Sequence, residues 1–306
     1  MQHYKSLEGV HLENSWLTIG SFDGVHLGHQ EIIGQLVREA EIEGTHAVAL
    51  TFYPHPAIIL GKRRDTHYLT TPDERAEIIG GMGVDFVITF PFSQETANLS
   101  ARAFISRLHE HLSFQGLCVG HDFALGKNRE GDSQTLTKLG EEFGYRVRFV
   151  EPVKNDNVVV SSSRIRAKIL EGEVEQAAKF LGRDYRIKGR VIPGDGRGKT
   201  LGIPTANLEI WSEQVIPKAG VYATRVRHRE QILLAVANIG IRPTFEEAPV
   251  LPRVEVHILE FSEEIYGEEI YIDFVSRLRD ELRFSKVDAL IEQIQKDIAQ
   301  SKRLLE

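Results

Sequence analysis

Two histidines three residues apart, His26 and His29, close the glycine-rich stretch Gly20-Ser21-Phe22-Asp23-Gly24-Val25-His26-Leu27-Gly28-His29. The apolar run Trp16-Leu17-Thr18-Ile19 precedes it, and Ile32, Ile33, Leu36, Val37 and Ala40 follow at three- and four-residue steps, the period of one buried helix face. Strand, glycine turn and helix in that order turn backbone N–H groups and the positive end of a helix dipole toward an anion. The imidazoles add hydrogen bonds on the same side, so a polyphosphate is the ligand this arrangement suits. A second anion station is expected at Ser161-Ser162-Ser163-Arg164-Ile165-Arg166, where hydroxyls and N–H groups open a helix and arginines follow. Between them, Thr51-Phe52-Tyr53-Pro54-His55-Pro56 leaves a strand, with His55 held in a stiff loop by two prolines. Gly120-His121-Asp122-Phe123, running on to Gly131, offers glycine flexibility, an aromatic face and the cations Lys127 and Arg129.

Another dense group lies in the second half. Gly194-Asp195-Gly196-Arg197-Gly198-Lys199-Thr200-Leu201-Gly202 combines glycines with basic residues, and Pro204-Thr205-Ala206-Asn207 follows. Residues two apart in an extended segment face the same side, so Thr205 and Asn207 can reach one cation together. Neutral oxygens beside ATP phosphates are an environment suited to Mg²⁺. In Arg253-Val254-Glu255-Val256-His257-Ile258 the apolar residues alternate with polar ones, which puts Glu255 on the face opposite Val254 and Val256. From the residues alone, Glu255 could simply be a solvated strand carboxylate, the commoner fate of a glutamate.

The elements that must carry these groups change style along the chain. Up to about residue 182, short apolar strands (His46 to Phe52, Val84 to Phe90, Leu117 to Val119, Arg146 to Val150) alternate with helical stretches near 72–82, 100–112 and 132–143. That alternation implies a parallel sheet with helices on its faces and ligands beyond the strand C-termini. Two further helical stretches, about 162–170 and 173–181, precede alternating strands at Tyr185–Ile192, Gly220–Arg227, Ile232–Asn238, Arg253–Phe261 and Ile270–Leu278. Leu290, Ile291, Ile294 and Ile298 then mark a C-terminal helix, so an antiparallel barrel closed by a helix is expected.

The 306 residues suffice for two domains, and 42% apolar with 26% charged residues is a globular composition. A net charge of −7 argues against broad nucleic-acid binding. The lone Cys118, in an apolar run, reads as a core residue. The N-terminus lacks a basic-then-apolar targeting pattern, and an intracellular protein is the expectation.

Together these segments resemble the bacterial bifunctional riboflavin kinase/FAD synthetase family. His26-Leu27-Gly28-His29, Phe52 to Pro56 and Ser161 to Arg166 are similar to the marks of its nucleotidyltransferase domain. Pro204-Thr205-Ala206-Asn207, Asn238-Ile239-Gly240 with Pro243-Thr244-Phe245, and Val254-Glu255-Val256-His257 are similar to those of riboflavin kinase. The resemblance implies an α/β fold: a Rossmann-like nucleotidyltransferase domain over 1–183, then an antiparallel β-barrel kinase domain with a C-terminal helix over 184–306. It implies phosphorylation of riboflavin to FMN, then adenylyl transfer from ATP to FMN, giving FAD and pyrophosphate. His26, His29, Arg166 and Glu255 are the implied catalytic residues. Gly20, Phe22, Asp23, Gly28, His55, Ser162, Ser163, Gly194, Lys199 and Gly202 would bind nucleotide; Asp122, Phe123, Arg279 and Phe284 would meet flavin. Thr205 and Asn207 would hold Mg²⁺. Riboflavin, FMN and ATP are the expected partners of a cytoplasmic enzyme, with no nucleic acid, membrane or obligatory protein partner. Ser163 stands where the family usually has threonine. Ala124 and Leu125 interrupt a family pattern close to Asp-Phe-Arg-Phe-Gly. That second departure opens an alternative: a riboflavin kinase with weak or absent FAD synthetase activity.

Overall fold

A computed structural model describes residues 1–62, 67–194, 196, 198, 201–240 and 252–306. Asp195, Arg197, Lys199, Thr200 and the stretch 241–245 lie outside the described residues. The chain divides into two compact units, Met1–Ser161 and Ser162–Glu306.

The first unit holds a six-stranded sheet in the order β1-β4-β3-β2-β5-β6. Its strands are β1 (Gln2–Tyr4), β2 (Ser15–Ile19), β3 (His46–Tyr53), β4 (Phe86–Pro91), β5 (Phe114–Gly120) and β6 (Arg146–Val150). Every pairing is parallel. All five residues of β2 are buried, because helices cover both faces and each alternate residue has a core to enter. On one face Trp16, Ala47, Ala49 and Cys118 meet Ile33, Leu36 and Ala40 of α1 (Leu27–Glu43) and Ala76 and Ile79 of α3 (Pro72–Gly80). On the other, Leu17, Ile19, Val48 and Leu50 meet Phe104, Ile105 and Leu108 of α5 (Ala101–Leu112) and Leu136 and Leu139 of α6 (Ser133–Phe143). Gly116 serves this packing, since a Cβ there would stand 2.3 Å from the Trp16 ring.

The strand order reverses beside β2, whose neighbours are β3 and β5. In such sheets the crevice beyond the strand C-termini opens between the strands that flank the reversal. The segments after β2 and after β5 are the His26/His29 loop and the Gly120–Gly131 loop. Small elements absent from the sequence reading include β1, α2 (Pro56–Ile59) and α4 (Gln94–Asn98). A tight hairpin, β7 (Lys154–Asn155) and β8 (Val158–Val159), turns through Asp156 and Asn157 at φ 50 and 63.

In the second unit α7 (Ser162–Glu171) and α8 (Val174–Leu181) precede a closed antiparallel barrel ordered β10-β13-β12-β11-β14-β9. Its strands are β9 (Tyr185–Ile192), β10 (Ala206–Ile210), β11 (Gly220–His228), β12 (Gln231–Gly240), β13 (Arg253–Ile258) and β14 (Glu269–Arg279). Five match the expected strands. The sixth, β10, is the extended segment that carries Asn207, and it closes the barrel between β9 and β13. Closure leaves no strand edge unpaired. The helices α7 and α8 belong to this unit: Lys218 donates its N–H to the Ile169 carbonyl at 3.2 Å, and Glu175 of α8 accepts from Ser276 Oγ at 2.6 Å. The last helix, α9, spans Val287–Leu305.

Candidate active sites

Between β2 and α1 the chain is shaped by its own side chains. His26 is the N-cap of α1, its Nδ1 accepting the His29 N–H at 3.3 Å. An acceptor at Nδ1 leaves the proton of the neutral ring on Nε2. The two imidazoles stack with centroids 3.6 Å apart and planes 16° from parallel, and Phe22 meets His29 edge-on at 5.2 Å. The glycines make room for these rings: a Cβ at Gly20 would lie 2.8 Å from Phe22, and one at Gly28 3.2 Å from His26. Phe22 and Val25 hold φ of 46 and 41, a left-handed backbone that non-glycine residues adopt at some cost and that clusters at functional loops. Phe22 and Asp23 are each 1% exposed. They shape the loop from beneath, whereas His29 and Gly28 lie partly open above it.

His55 caps α2, its Nδ1 accepting the Ala57 N–H at 3.0 Å, while its own N–H donates to the Tyr68 hydroxyl at 2.8 Å. After β5, Asp122 is exposed and Phe123 packs half-buried against the core. Arg129 Nη2 donates to the Asp122 carbonyl at 2.9 Å. Leu125 is buried and bridges to Gly131 through reciprocal backbone hydrogen bonds of 3.2 and 2.9 Å. Ser162, Ser163 and Arg166 share the first turn and a half of α7, where Arg166 Nη2 donates to Ser163 Oγ at 3.3 Å.

In the barrel unit, one cavity of about 270 Å³ is lined by Gly198, Thr205, Glu255, Arg279 and Phe284, five residues far apart in sequence. Register explains part of the convergence: Asn207 and Asn238 both pair with Glu255, one from each side. The row Asn207–Glu255–Asn238 therefore faces one way across three strands. Asn207 is buried, Glu255 half-buried. Arg253, two residues before Glu255, donates from Nε to Asn207 Oδ1 at 2.8 Å and lies 3.1 Å from Glu255 Oε1. Gly194 packs against the same amide, since a Cβ there would sit 1.9 Å from Asn207 Nδ2. Gly202, at φ 73, makes the turn in which Ile203 N–H reaches the Gly198 carbonyl at 2.8 Å.

The sequence reading missed two features of this site. Arg279 is clamped by Asp297 of α9, with Nε at 3.0 Å and Nη2 at 2.7 Å from its carboxylate oxygens, and Gln293 Nε2 adds a third contact at 2.9 Å. The sign was present in the spacing: Asp297, Ser301 and Leu305 fall on one helix face at four-residue steps, and all three are buried. The second feature is another cavity, of about 280 Å³, lined by Val191, Pro204, Ala206, Phe261 and Tyr266. Thr205 lines both cavities. Two chambers, one of them holding the Glu255 carboxylate, thus share Thr205.

A family model for FAD synthetase matches residues 9–164, and one for riboflavin kinase matches residues 181–305. The bifunctional riboflavin kinase/FMN adenylyltransferase of Listeria monocytogenes is 39% identical over 285 residues, 93% of this chain and 90% of the relative. Its counterparts from Bacillus subtilis and Escherichia coli are 37% and 36% identical, covering 92% and 96% of this chain and 90% and 95% of theirs. The chain belongs to the bifunctional riboflavin kinase/FMN adenylyltransferase family. It carries both enzyme domains of that family, one for each ATP-consuming step of flavin cofactor synthesis. A crystal structure described as a macrolide-efflux protein from Streptococcus pneumoniae has a TM-score of 0.90 at 30% identity, covering 98% of both chains. Among the described residues of this chain no helix is long and apolar enough to cross a membrane.

Proposed function

We propose that riboflavin is phosphorylated at the Glu255 cavity of the barrel and that FMN is adenylylated at the crevice beside β2 and β5. On this reading the functional halves are 1–183 and 184–306, so that α7 and α8, part of the second compact unit, fall in the first functional half. In the barrel, Glu255 accepts the proton of the terminal ribityl hydroxyl as that oxygen attacks the γ-phosphorus of ATP and ADP leaves. Arg279 and Phe284 border the flavin, and the second chamber, which shares Thr205, receives the nucleotide base. Gly194 and Gly202 belong to the loop over the phosphates, and Lys199 is assigned phosphate binding from the family resemblance alone. Thr205 and Asn207 are the residues that would hold Mg²⁺. Hard oxygen donors two residues apart suit that ion, and Asn207 Oδ1, which here accepts from Arg253 Nε at 2.8 Å, would exchange that donor for the cation. When bound, the ion neutralises phosphate charge.

In the first half no activated side-chain nucleophile is needed, because the FMN phosphate itself attacks the α-phosphorus and pyrophosphate leaves. Alignment and charge stabilisation carry the step. His26, with Nε2–H directed by its cap, and His29 contact the phosphates, with Gly20, Phe22, Asp23 and Gly28 setting their backbone and His55 flanking them. Ser162, Ser163 and Arg166 are assigned phosphate binding from their likeness to the family's motif, and Asp122 and Phe123 border the flavin. We place both reactions in the cytoplasm, where ATP is available.

The observation that carries this reading is the meeting of two chambers at Thr205, with Glu255 and Arg279 in one of them. Glu255→Ala is expected to lower FMN formation by about two orders of magnitude or more, the usual worth of a general base, and to leave adenylylation of supplied FMN intact. His29→Ala is expected to do the reverse. Loss of both activities in either folded variant refutes the division of sites.

A further inference from the structure

The segment His67–Arg75 carries none of the motifs read above, yet it is bonded to both loops assigned to nucleotide in the first unit. Asp23 Oδ1 accepts the Leu69 N–H at 2.9 Å and the Thr70 N–H at 3.3 Å. In return Thr70 Oγ1 accepts the Gly24 N–H at 3.1 Å. The Tyr68 hydroxyl accepts the His55 N–H at 2.8 Å. Arg75 Nη1 donates to Thr51 Oγ1 at 3.0 Å and to the Phe52 carbonyl at 3.2 Å, and Thr51 Oγ1 passes on a hydrogen bond to the Ser21 carbonyl at 2.9 Å. The Arg75 guanidinium lies 5.9 Å from the Tyr68 ring centroid and 3.7 Å from Asp23 Oδ1.

All these side chains are at most 2% exposed. Arg75 is the telling one. Its Nε and Nη2 make no hydrogen bond among the described residues. Burying a guanidinium with donors unsatisfied is costly. Apolar replacement of a whole buried ion pair is often neutral or stabilising, so the Arg75–Asp23 pair is weak as a source of stability. What the charge and its partners supply is geometry. They tie the segment after β2 and the segment after β3, two neighbouring strands, to one buried arginine-centred network.

We propose that Asp23, Tyr68, Thr70 and Arg75 form a brace that holds the His26/His29 loop and the His55 loop at one spacing, preorganised for a single ATP. They are positioning residues for adenylyl transfer. The proposal rests on the reading of those two loops as the nucleotide site. Without the brace, ordering the loops falls to the nucleotide itself, so the Michaelis constant for ATP rises before turnover falls.

The test uses the full chain, whose kinase half is an internal control. Tyr68→Phe removes only the hydroxyl that meets His55; Thr70→Val removes only the one that meets Gly24. Each is expected to raise KM for ATP in adenylylation by about tenfold, the loss of one net hydrogen bond, with kcat changed less than about threefold. Thr70→Ser should restore the wild-type KM, and riboflavin phosphorylation by the same preparations should be unaltered. A wild-type KM in both variants overturns the brace, as does a lowered melting temperature with no kinetic change, or an equal loss of both activities. His29→Ala separates the two levels. If it leaves adenylylation intact, the nucleotide-site reading fails; if it abolishes adenylylation while Tyr68→Phe and Thr70→Val are silent, the brace alone fails.

Discussion

At the scale of single residues, environment decides which side chains are available for chemistry. His26 and His29 sit at a helix start, stacked, with one ring nitrogen of His26 committed to the cap. Cys118 is the opposite case. It is fully buried between β2 and β6, and burial pushes its thiol up to about 12. The thiolate is the reactive form, so the folded protein is expected to resist alkylation at pH about 8 and to react only after denaturation. Rapid labelling of native protein, followed by mass spectrometry of the Cys118 peptide, would contradict this. Leu125 is instructive in the same way. Where the family pattern has an aromatic ring, this leucine is absorbed into the core and bridged to Gly131. Its replacement therefore changes packing beneath the loop, while Ala124, half-buried beside it, is the departure nearer the surface. The comparisons with bifunctional relatives support the two-activity reading over the kinase-only alternative.

At the scale of elements, each functional residue depends on one pairing or one cap. β10 is only five residues long, yet its register with β13 puts Asn207 directly opposite Glu255. A slip by one residue would turn Asn207 to the other face. α9 is held against the barrel by Asp297, whose side chain is 4% exposed and bound by Arg279. Ser301 adds a hydrogen bond of 3.0 Å to the Ala235 carbonyl. Meanwhile Leu290 and Ile294, the apolar residues of the predicted helix face, line the cavity and stay half-exposed. Asp297→Ala leaves the half-buried Arg279 guanidinium with the Asp280 carbonyl as its remaining partner and is expected to cost about 2 kcal/mol of barrel stability. It should also weaken riboflavin binding while leaving FMN adenylylation near the wild-type rate. Differential scanning calorimetry together with both steady-state assays checks this; an unchanged KM for riboflavin would separate α9 from the flavin site.

At the scale of the whole molecule, the chain carries the domains of two reactions that connect: FMN made by one is the substrate of the other. With riboflavin, ATP and Mg²⁺, FMN is expected to rise first and FAD to follow, as resolved by chromatography over time. Glu255→Ala and His29→Ala, each unable to make FAD from riboflavin, should recover it when mixed, because FMN formed on one chain can be used by the other. FMN accumulating in the wild type without FAD would mark the first unit as inactive in adenylyl transfer. Failure of the mixture, with each variant retaining its own activity, would mean that FMN does not pass through solution.

Much of this was legible before any coordinates. Alternating strands and helices in the first half, period-two strands in the second, and the glycine–histidine turn at a strand–helix junction follow from local spacing, because backbone periodicity and capping are short-range. Resemblance to a two-activity family added the roles of Glu255, Thr205 and Asn207. What spacing does not contain is the order of strands. The reversal beside β2, the closure of the barrel by β10 and the clamp between Arg279 and Asp297 join residues far apart in sequence. So does the network centred on Arg75, whose members are unremarkable in the sequence until the sheet sets β2 and β3 side by side. Local chemistry was written in the chain; which groups share a site was decided by long-range packing, where one buried arginine or one strand register selects the partners.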